Sequence, residues 1–350
     1  MPCFSPHFGY NYRGEILTQM DTSKKVFVTG STGFIGSALV AKLLERGFSV
    51  RALTRNVPAE TKPNLEYLSG DITDTESLRG GMSGCSYVFH LAAYAKSWAA
   101  DPQTYTRVNI DGTKNVFAAT QELSAERIVW TSSIVTFGCT PPGIVGDEQM
   151  PRQSEHCFTE YERTKMVMER ESAQWVKNGL PLVIVNPTRV FGPGVQSESN
   201  SVTRLIDLYR RGWFPILLNR GRNVANCGFI DDVAEGLILA MERGKIGERY
   251  ILGGANVSLV ELLQMVDKTD DKKRFQLKIF WMFPMLLAYY FELQAKCFGI
   301  HPLVTPGWMQ TFIRDWAFSN AKAERELGYK VTPFEEAVRQ TCQWLDETRH

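Results

Sequence analysis

The chain has 350 residues, 44% of them hydrophobic and 22% charged, with a formal net charge of +1 at pH 7. That length carries one large domain or two modest ones around a full-sized core. The near-zero charge excludes the basic footprint of a nucleic-acid binder and supplies no attraction to an anionic membrane.

Residues 1–19 mix Pro, Gly and aromatics without periodicity and read as a mobile extension ahead of Met20. They lack both the apolar core of a secretory signal and the Arg-rich character of a transit peptide. A cytoplasmic location is expected, with organelle import through 1–19 as the alternative. The seven cysteines are scattered with no CxxC pair, as reduced thiols are. The five histidines do not cluster, so no metal site is expected.

From Lys25 onward, short β-branched runs alternate with helical patterns, the mark of βαβ units in a parallel sheet. "KVFVT" (25–29) reads as a strand and "FIGSALVAKLLERG" (34–47) as a helix stopped by Gly47. Between them "TGSTGFIG" places Gly30, Gly33 and Gly36 at a strand–turn–helix junction. Gly30 suits the tight turn, Gly33 a close approach to a pyrophosphate, and Gly36 close packing of helix on strand. A dinucleotide cofactor is therefore expected.

The second strand, "SVRALT" (49–54), ends in Thr54 and Arg55 where an NAD site would carry an acid on the ribose 2′-hydroxyl. A hydroxyl and a guanidinium, with Arg51 nearby, favour NADP(H) over NAD(H). After "EYLSG", Asp71 and Ile72 are placed to cap the adenine. Further strands are "YVFHLAA" (87–93), which contains His90, "RIVWTSS" (127–133) and "LVIVNP" (182–187). Helical patterns run through 105–121 and 159–177. The second holds "CFTEYERTKMVME", in which Tyr161 and Lys165 lie four apart and share a face. Glu160, Glu162 and Glu169 are left to solvent.

After Pro187 the alternation weakens, although "ERYILGG" (248–254) reads as a strand returning to the sheet. The expected division is a doubly wound α/β domain over 20–187, rejoined by 228–254. A smaller, mostly helical substrate-binding part covers 188–227 and 255–350. "IFWMFPMLLAYYF" (279–291) is uncharged but too short to span a bilayer and is interrupted by Pro284. It reads as a buried helix or the lid of an apolar pocket, with a peripheral membrane contact the alternative. Asp231 and Asp232 open a helix, where acids stabilise the dipole rather than bind a metal.

Taken in order, "TGSTGFIG", "GDITD", "VFHLAA", "NIDGTKNV", "WTSS", "YERTK", "VNPTRVFGPG", "FIDDVAEG" and "GERYILGG" resemble the extended short-chain dehydrogenases/reductases, also called the NAD-dependent epimerase/dehydratase family. The resemblance covers residues 24 to about 345. It is nearest to the dihydroflavonol-reductase-like branch, and "CFTEYERTK" is similar to plant-type farnesol dehydrogenase. It implies a Rossmann fold, with Ser133 as the catalytic serine and Ser132 the adjacent alternative. Tyr161 is then the general acid/base, Lys165 its partner and a ribose ligand, and Asn109 the organiser of the active-site helix. Around the Gly-rich turn, Thr32, Phe34 and Ile35 would meet the cofactor, Ala92 and Ala93 would line it, and Pro187 and Val190 would pack near the nicotinamide. A free tyrosine titrates near ~10; Lys165 and an oxidised nicotinamide would lower that value.

The triad is shared by oxidoreductases and nucleotide-sugar epimerases. The family's "R-x-x-x-H-V-x-D" substrate clamp is replaced here by "ANCGFIDD", with Ala225 for arginine and Phe229 for histidine, although Arg220 and Arg222 lie close by. The aromatic-rich stretch 279–316 suits an apolar pocket. The expected activity is interconversion of an alcohol and a carbonyl on a small apolar molecule, an isoprenoid alcohol or a flavonoid- or steroid-like ketone. The alternatives are a nucleotide-sugar epimerase/dehydratase and a catalytically silent NADP(H)-binding subunit, as monomer or homodimer.

Overall fold

The computed structural model describes residues 20–348 apart from 60–61, 197, 214–215, 219–220 and 280–281. The chain opens with β1 (Lys25–Thr29), α1 (Phe34–Glu45), β2 (Val50–Thr54), β3 (Leu65–Ser69), α2 (Thr75–Met82) and β4 (Cys85–His90). Next come α3 (Gln103–Thr106), a π turn (Arg107–Asp111), α4 (Gly112–Glu122), β5 (Arg127–Thr131), α5 (Glu160–Lys177) and β6 (Leu182–Pro187). The second half holds β7 (Arg189–Phe191), α6 (Ser201–Arg210), β8 (Ile216–Leu218), β9 (Val224–Phe229), α7 (Ile230–Arg243), β10 (Arg249–Leu252) and β11 (Ala255–Ser258). It ends with α8 (Leu259–Thr269), β12 (Leu277–Ile279), α9 (Met282–Phe298), α10 (Pro306–Phe312), α11 (Ala321–Leu327) and α12 (Phe334–Glu347).

Seven strands form one parallel sheet in the order β10-β6-β5-β4-β1-β2-β3. The inner strands are near-continuous apolar runs because helices cover both faces. All five residues of β5, "RIVWT", are buried, as are all six of β6. One core packs α1 and α7 with α12 against one face; the other packs α2, α4 and α5 against the opposite face. Successive strands run outward from β1 in one direction and from β4 in the other. The crevice beyond the carboxyl ends of these two strands is thus where a doubly wound sheet binds ligands.

Three local features differ from the sequence expectation. The helical pattern 105–121 is broken by the π turn, which carries Asn109. Its wider turn changes the angular step between the residues on either side, a deviation that 3.6-residue periodicity does not report. Residues 282–291 of the uncharged stretch are not a buried helix: α9 buries Met285 and Ala288 but leaves Leu286, Tyr289 and Tyr290 more than half exposed. Glu162 and Glu169 are not solvated. Glu162 is only 1% exposed, because it pairs with Arg152 and accepts from the Phe158 amide at 2.7 Å.

Two small sheets, β11-β9-β7 and β12-β8, carry the second half of the chain against the crevice. Among the described residues no helix is long and apolar enough to cross a membrane.

Candidate active site

A cavity of about 1460 Å³ runs from the Gly-rich turn, past the carboxyl ends of β1, β4 and β5, to α9 and α10. Its first half is shaped by backbone. Gly30 sits at φ 75°, and a Cβ there would lie 2.6 Å from the Ala92 nitrogen. At Gly36 a Cβ would come within 2.0 Å of the Gly30 carbonyl oxygen, so the helix reaches its strand only because the side chain is absent. The amino terminus of α1 begins at Gly33 with no side-chain cap and no acid in its first turn. Its free N–H groups and dipole form an anion site that the protein does not fill itself.

Thr32, Gly33, Phe34, Ile35, Thr54, Arg55, Asp71, Ile72, Ala92, Ala93, Pro187 and Val190 all line the cavity, as do Ser133, Tyr161 and Lys165. Arg51, expected to add charge near Arg55, does not. It bonds Glu66 at 2.8 Å and the carbonyls of Gly81 and Ser83, because the parallel register sets Arg51 opposite Glu66. Asp71 accepts from the Thr73 amide and hydroxyl, which fixes the turn that follows β3. The uncapped helix, the Gly-rich cradle and the buried, unpartnered Thr131 hydroxyl together fit a dinucleotide.

The chemistry-bearing residues converge beyond β5. Ser133 follows the strand end with its hydroxyl facing the Tyr161 phenol. Tyr161 and Lys165 project from the first turns of α5, whose start is capped by Thr159 accepting from the Glu162 amide at 3.1 Å. Lys165 is 2% exposed and donates to the Thr131 carbonyl oxygen at 2.8 Å. Its ammonium lies 6.0 Å from the Tyr161 ring centroid and 5.2 Å from that of Trp130. Burial pushes Lys165 down to about 7, opposed by the Glu169 charge. Burial also raises the Tyr161 phenol above its ordinary value, with the Ser133 bond opposing. Burial thus acts on the phenol against the lowering expected from Lys165, whose own ammonium is desolvated as well.

Behind this cluster the Ser132 hydroxyl donates to Glu169 Oε2 at 2.8 Å. Glu169 also takes the Asn186 amide at 3.2 Å and Arg249 at 3.3 Å, while Asn186 donates to the Ser133 carbonyl at 3.1 Å. Asn109 is outside the cavity wall. Its side-chain oxygen accepts from the Tyr94 amide at 2.7 Å, and its amide donates to the Tyr94 carbonyl and, at 3.0 Å, to Thr164 on α5. It ties the cofactor-side loop to the tyrosine-bearing helix. His90 is fully buried between Thr29 at 2.7 Å and Thr113 at 3.1 Å, and burial lowers it to about 3.

In the second half of the cavity, Trp308, Phe312 and Trp316 line the wall with Pro284, Leu287 and Leu303. Phe280 and Trp281 lie outside the described residues. Phe229 is 4% exposed and packs on Phe191, while Ala225 lines the cavity without a charge. Arg222 is not in the wall, and Arg220 lies outside the described residues. Three guanidiniums that the sequence reading did not single out are in it, Arg204 on α6 and two that meet α10. Arg189 donates to the Thr311 carbonyl at 3.0 Å and stacks on Phe312; Arg314 donates to the Gln310 carbonyl at 2.9 Å and stacks on Phe158. Both meet the carboxyl end of α10, where cations are favoured. Among the described residues no group of three or more side chains is arranged to hold a metal ion.

Residues 26–253 match the family described as NAD dependent epimerase/dehydratase. The chain is 31% identical over 329 residues to a putative dihydroflavonol 4-reductase of Synechocystis sp., covering 91% of this chain and 94% of that protein. It is 30% identical to the 4-hydroxy-2-methyl-3-oxo-4-farnesyl-3,4-dihydroquinoline-1-oxide ketoreductase of Stigmatella aurantiaca, covering 87% and 91%. Cinnamoyl-CoA reductase 2 of Medicago truncatula is likewise 30% identical, with 93% and 92% covered. Among solved structures, gox2253 is similar with a TM-score of 0.77 at 33% identity, covering 93% of this chain and 98% of that one. UDP-glucose 4-epimerase of Thermotoga maritima matches with a TM-score of 0.77 at 21% identity, a likeness of fold, covering 93% and 100%.

Proposed function

The chain belongs to the NAD-dependent epimerase/dehydratase family, and from that membership we propose an NADP(H)-dependent reductase/dehydrogenase that interconverts a carbonyl and an alcohol on an apolar small molecule. The observation that carries the reading is the Ser133–Tyr161–Lys165 cluster at the head of a cavity whose far wall is aromatic and aliphatic. The named reductases among the relatives support it.

A nicotinamide held in this cavity would supply or accept the hydride. Tyr161 donates a proton to the carbonyl oxygen in reduction and takes one from the hydroxyl in oxidation. The Ser133 hydroxyl donates a hydrogen bond to the same oxygen and stabilises charge developing there. Lys165, steadied by the Thr131 carbonyl, donates to the cofactor ribose and sets the field at the phenol. Gly30, Gly33 and the first turn of α1 would hold the pyrophosphate, and Arg55 would meet the 2′-phosphate. Asn109 positions α5 against the Tyr94 loop.

A second reading, a nucleotide-sugar epimerase, draws support from Arg189, Arg204 and Arg314, three guanidiniums in the substrate half of the wall. The test is deuteride transfer from labelled NADPH to farnesal and to a flavanone ketone, with Tyr161→Phe as control. Deuterium in the alcohol with wild type and background with the variant is the expected result. Stabilisation by UDP-glucose, with no reduction of either carbonyl, replaces the first reading by the second. Greater thermal stabilisation by NADPH than by NADH, reversed in Arg55→Ala, is expected for the cofactor preference.

A further inference from the structure

A helix that is apolar all round is normally enclosed by protein or by lipid. The 17 residues of α9 carry only two charges, Glu292 and Lys296, which pair with each other at 3.0 Å. One face, with Met285, Ala288 and Ala295, is buried. On the other, Met282, Leu286, Tyr289, Tyr290 and Leu293 recur at helical spacing and are 54%, 69%, 55%, 54% and 60% exposed. The outward stripe is thus as apolar as the inward one, and no described element of the chain covers it.

We propose that this outward face of α9 is a shallow docking surface for a neutral phospholipid leaflet, on which the mouth of the substrate cavity rests. Two observations select lipid over a second copy of the chain. The stripe is continuous with the cavity rim: Pro284 and Leu287 of the same helix, with Leu303, line the cavity, and Leu303 is 81% exposed. A flat protein partner there would seal the entrance, whereas an acyl phase delivers an apolar substrate to it. The footprint is also small. A helix of this length presents a ridge about 25 Å long and ~10 Å wide, narrower than the broad patch of a stable dimer. Such a strip suits insertion to headgroup depth, with the tyrosine hydroxyls at the polar boundary. A face whose charges cancel calls for a zwitterionic surface, in keeping with a chain of net charge +1.

The lipid contact stands apart from the proposed reaction; only its purpose, substrate delivery, rests on that reading. The test is co-sedimentation of the full chain with phosphatidylcholine vesicles, comparing wild type with Leu286→Glu/Leu293→Glu, two exposed positions outside the cavity wall. Wild type should pellet with the vesicles. The variant should partition at least tenfold less, with an unchanged melting temperature and unchanged NADPH binding. Wild type remaining in the supernatant overturns the proposal, as does equal partition of wild type and variant. A wild-type dimer in buffer that the same substitutions dissociate, seen by sedimentation velocity, assigns the face to a second copy instead. Vesicle binding in a protein that reduces no apolar carbonyl removes the functional reading and leaves the docking surface standing.

Discussion

The Ser132 hydroxyl donates to Glu169 Oε2 at 2.8 Å, and this contact separates the roles of two adjacent serines. With Ser132 turned back toward Glu169, Ser133 is left facing the phenol of Tyr161. Ser133→Ala should lower kcat by about 10²–10³-fold, the cost of one donor aimed at developing charge. Ser132→Ala should lower it less than tenfold, while costing about 1 kcal/mol of stability through the bond lost at Glu169. Steady-state kinetics and urea denaturation of the two variants distinguish these outcomes; equal kcat losses would contradict the assignment.

Burial holds Lys165 at about 7, against 10.5 for an ordinary lysine. Below pH 7 both folded and unfolded chains carry this proton; between the two values only the unfolded chain does. Raising the pH through 7 toward 10.5 therefore shifts the balance toward the folded state at this group. Between pH 7 and 9 the urea midpoint of wild type should rise relative to that of Lys165→Met. Parallel profiles would show that the ammonium is not desolvated in the folded chain.

Gly36→Ala places a methyl carbon about where the Gly30 carbonyl now lies, a built distance of 2.0 Å. Backbone cannot yield there without opening the turn, so α1 must move off β1 and its amino terminus away from the phosphates. NADPH affinity should fall at least 100-fold by calorimetry, with the far-ultraviolet dichroism retained. Gly47→Ala, where a Cβ meets nothing within 4 Å, should leave affinity unchanged; its φ of 82° makes any cost one of stability.

Asn109→Ala removes one bond accepted from the Tyr94 amide and two donated, to the Tyr94 carbonyl and to Thr164. About 2–4 kcal/mol of stability should be lost, since partly buried partners are left unpaired. Because Asn109 does not line the cavity, its effect on catalysis should appear in kcat through the placement of α5, with KM for NADPH little altered. A change confined to KM would put the residue in direct contact with the cofactor.

What could be read in advance was local. The Gly-rich turn was recognisable because strand, turn and helix are contiguous, and Tyr161 with Lys165 because four residues make one helical turn. What escaped depends on partners far along the chain. Glu169 turns inward only because Asn186 lies on β6 and Arg249 on β10. Arg51 is drawn away from Arg55 by the register that seats Glu66 opposite it. Arg314 carries no motif, and nothing in "VNPTRVFGPG" marks Arg189 for the substrate half; their positions follow from the carboxyl end of α10, over a hundred residues beyond Arg189. The outward stripe of α9 has the composition of a core helix, and only the packing shows that no described element covers it.

The buried imidazole of His90 has a consequence for following the cofactor half in solution. Thr113 donates its one proton to the Asn109 carbonyl at 2.8 Å, so it accepts from His90 Nε2–H, and Nδ1 accepts from the Thr29 hydroxyl. Every proton in that line has one direction, running from the end of β1 to the π turn. A ring held near 3 stays neutral, in one tautomer, from pH 5 to 8. Nitrogen-15 resonances of His90 therefore form a built-in gauge: fixed while β1 and the π turn are joined, and titrating near ~6.5 once they part.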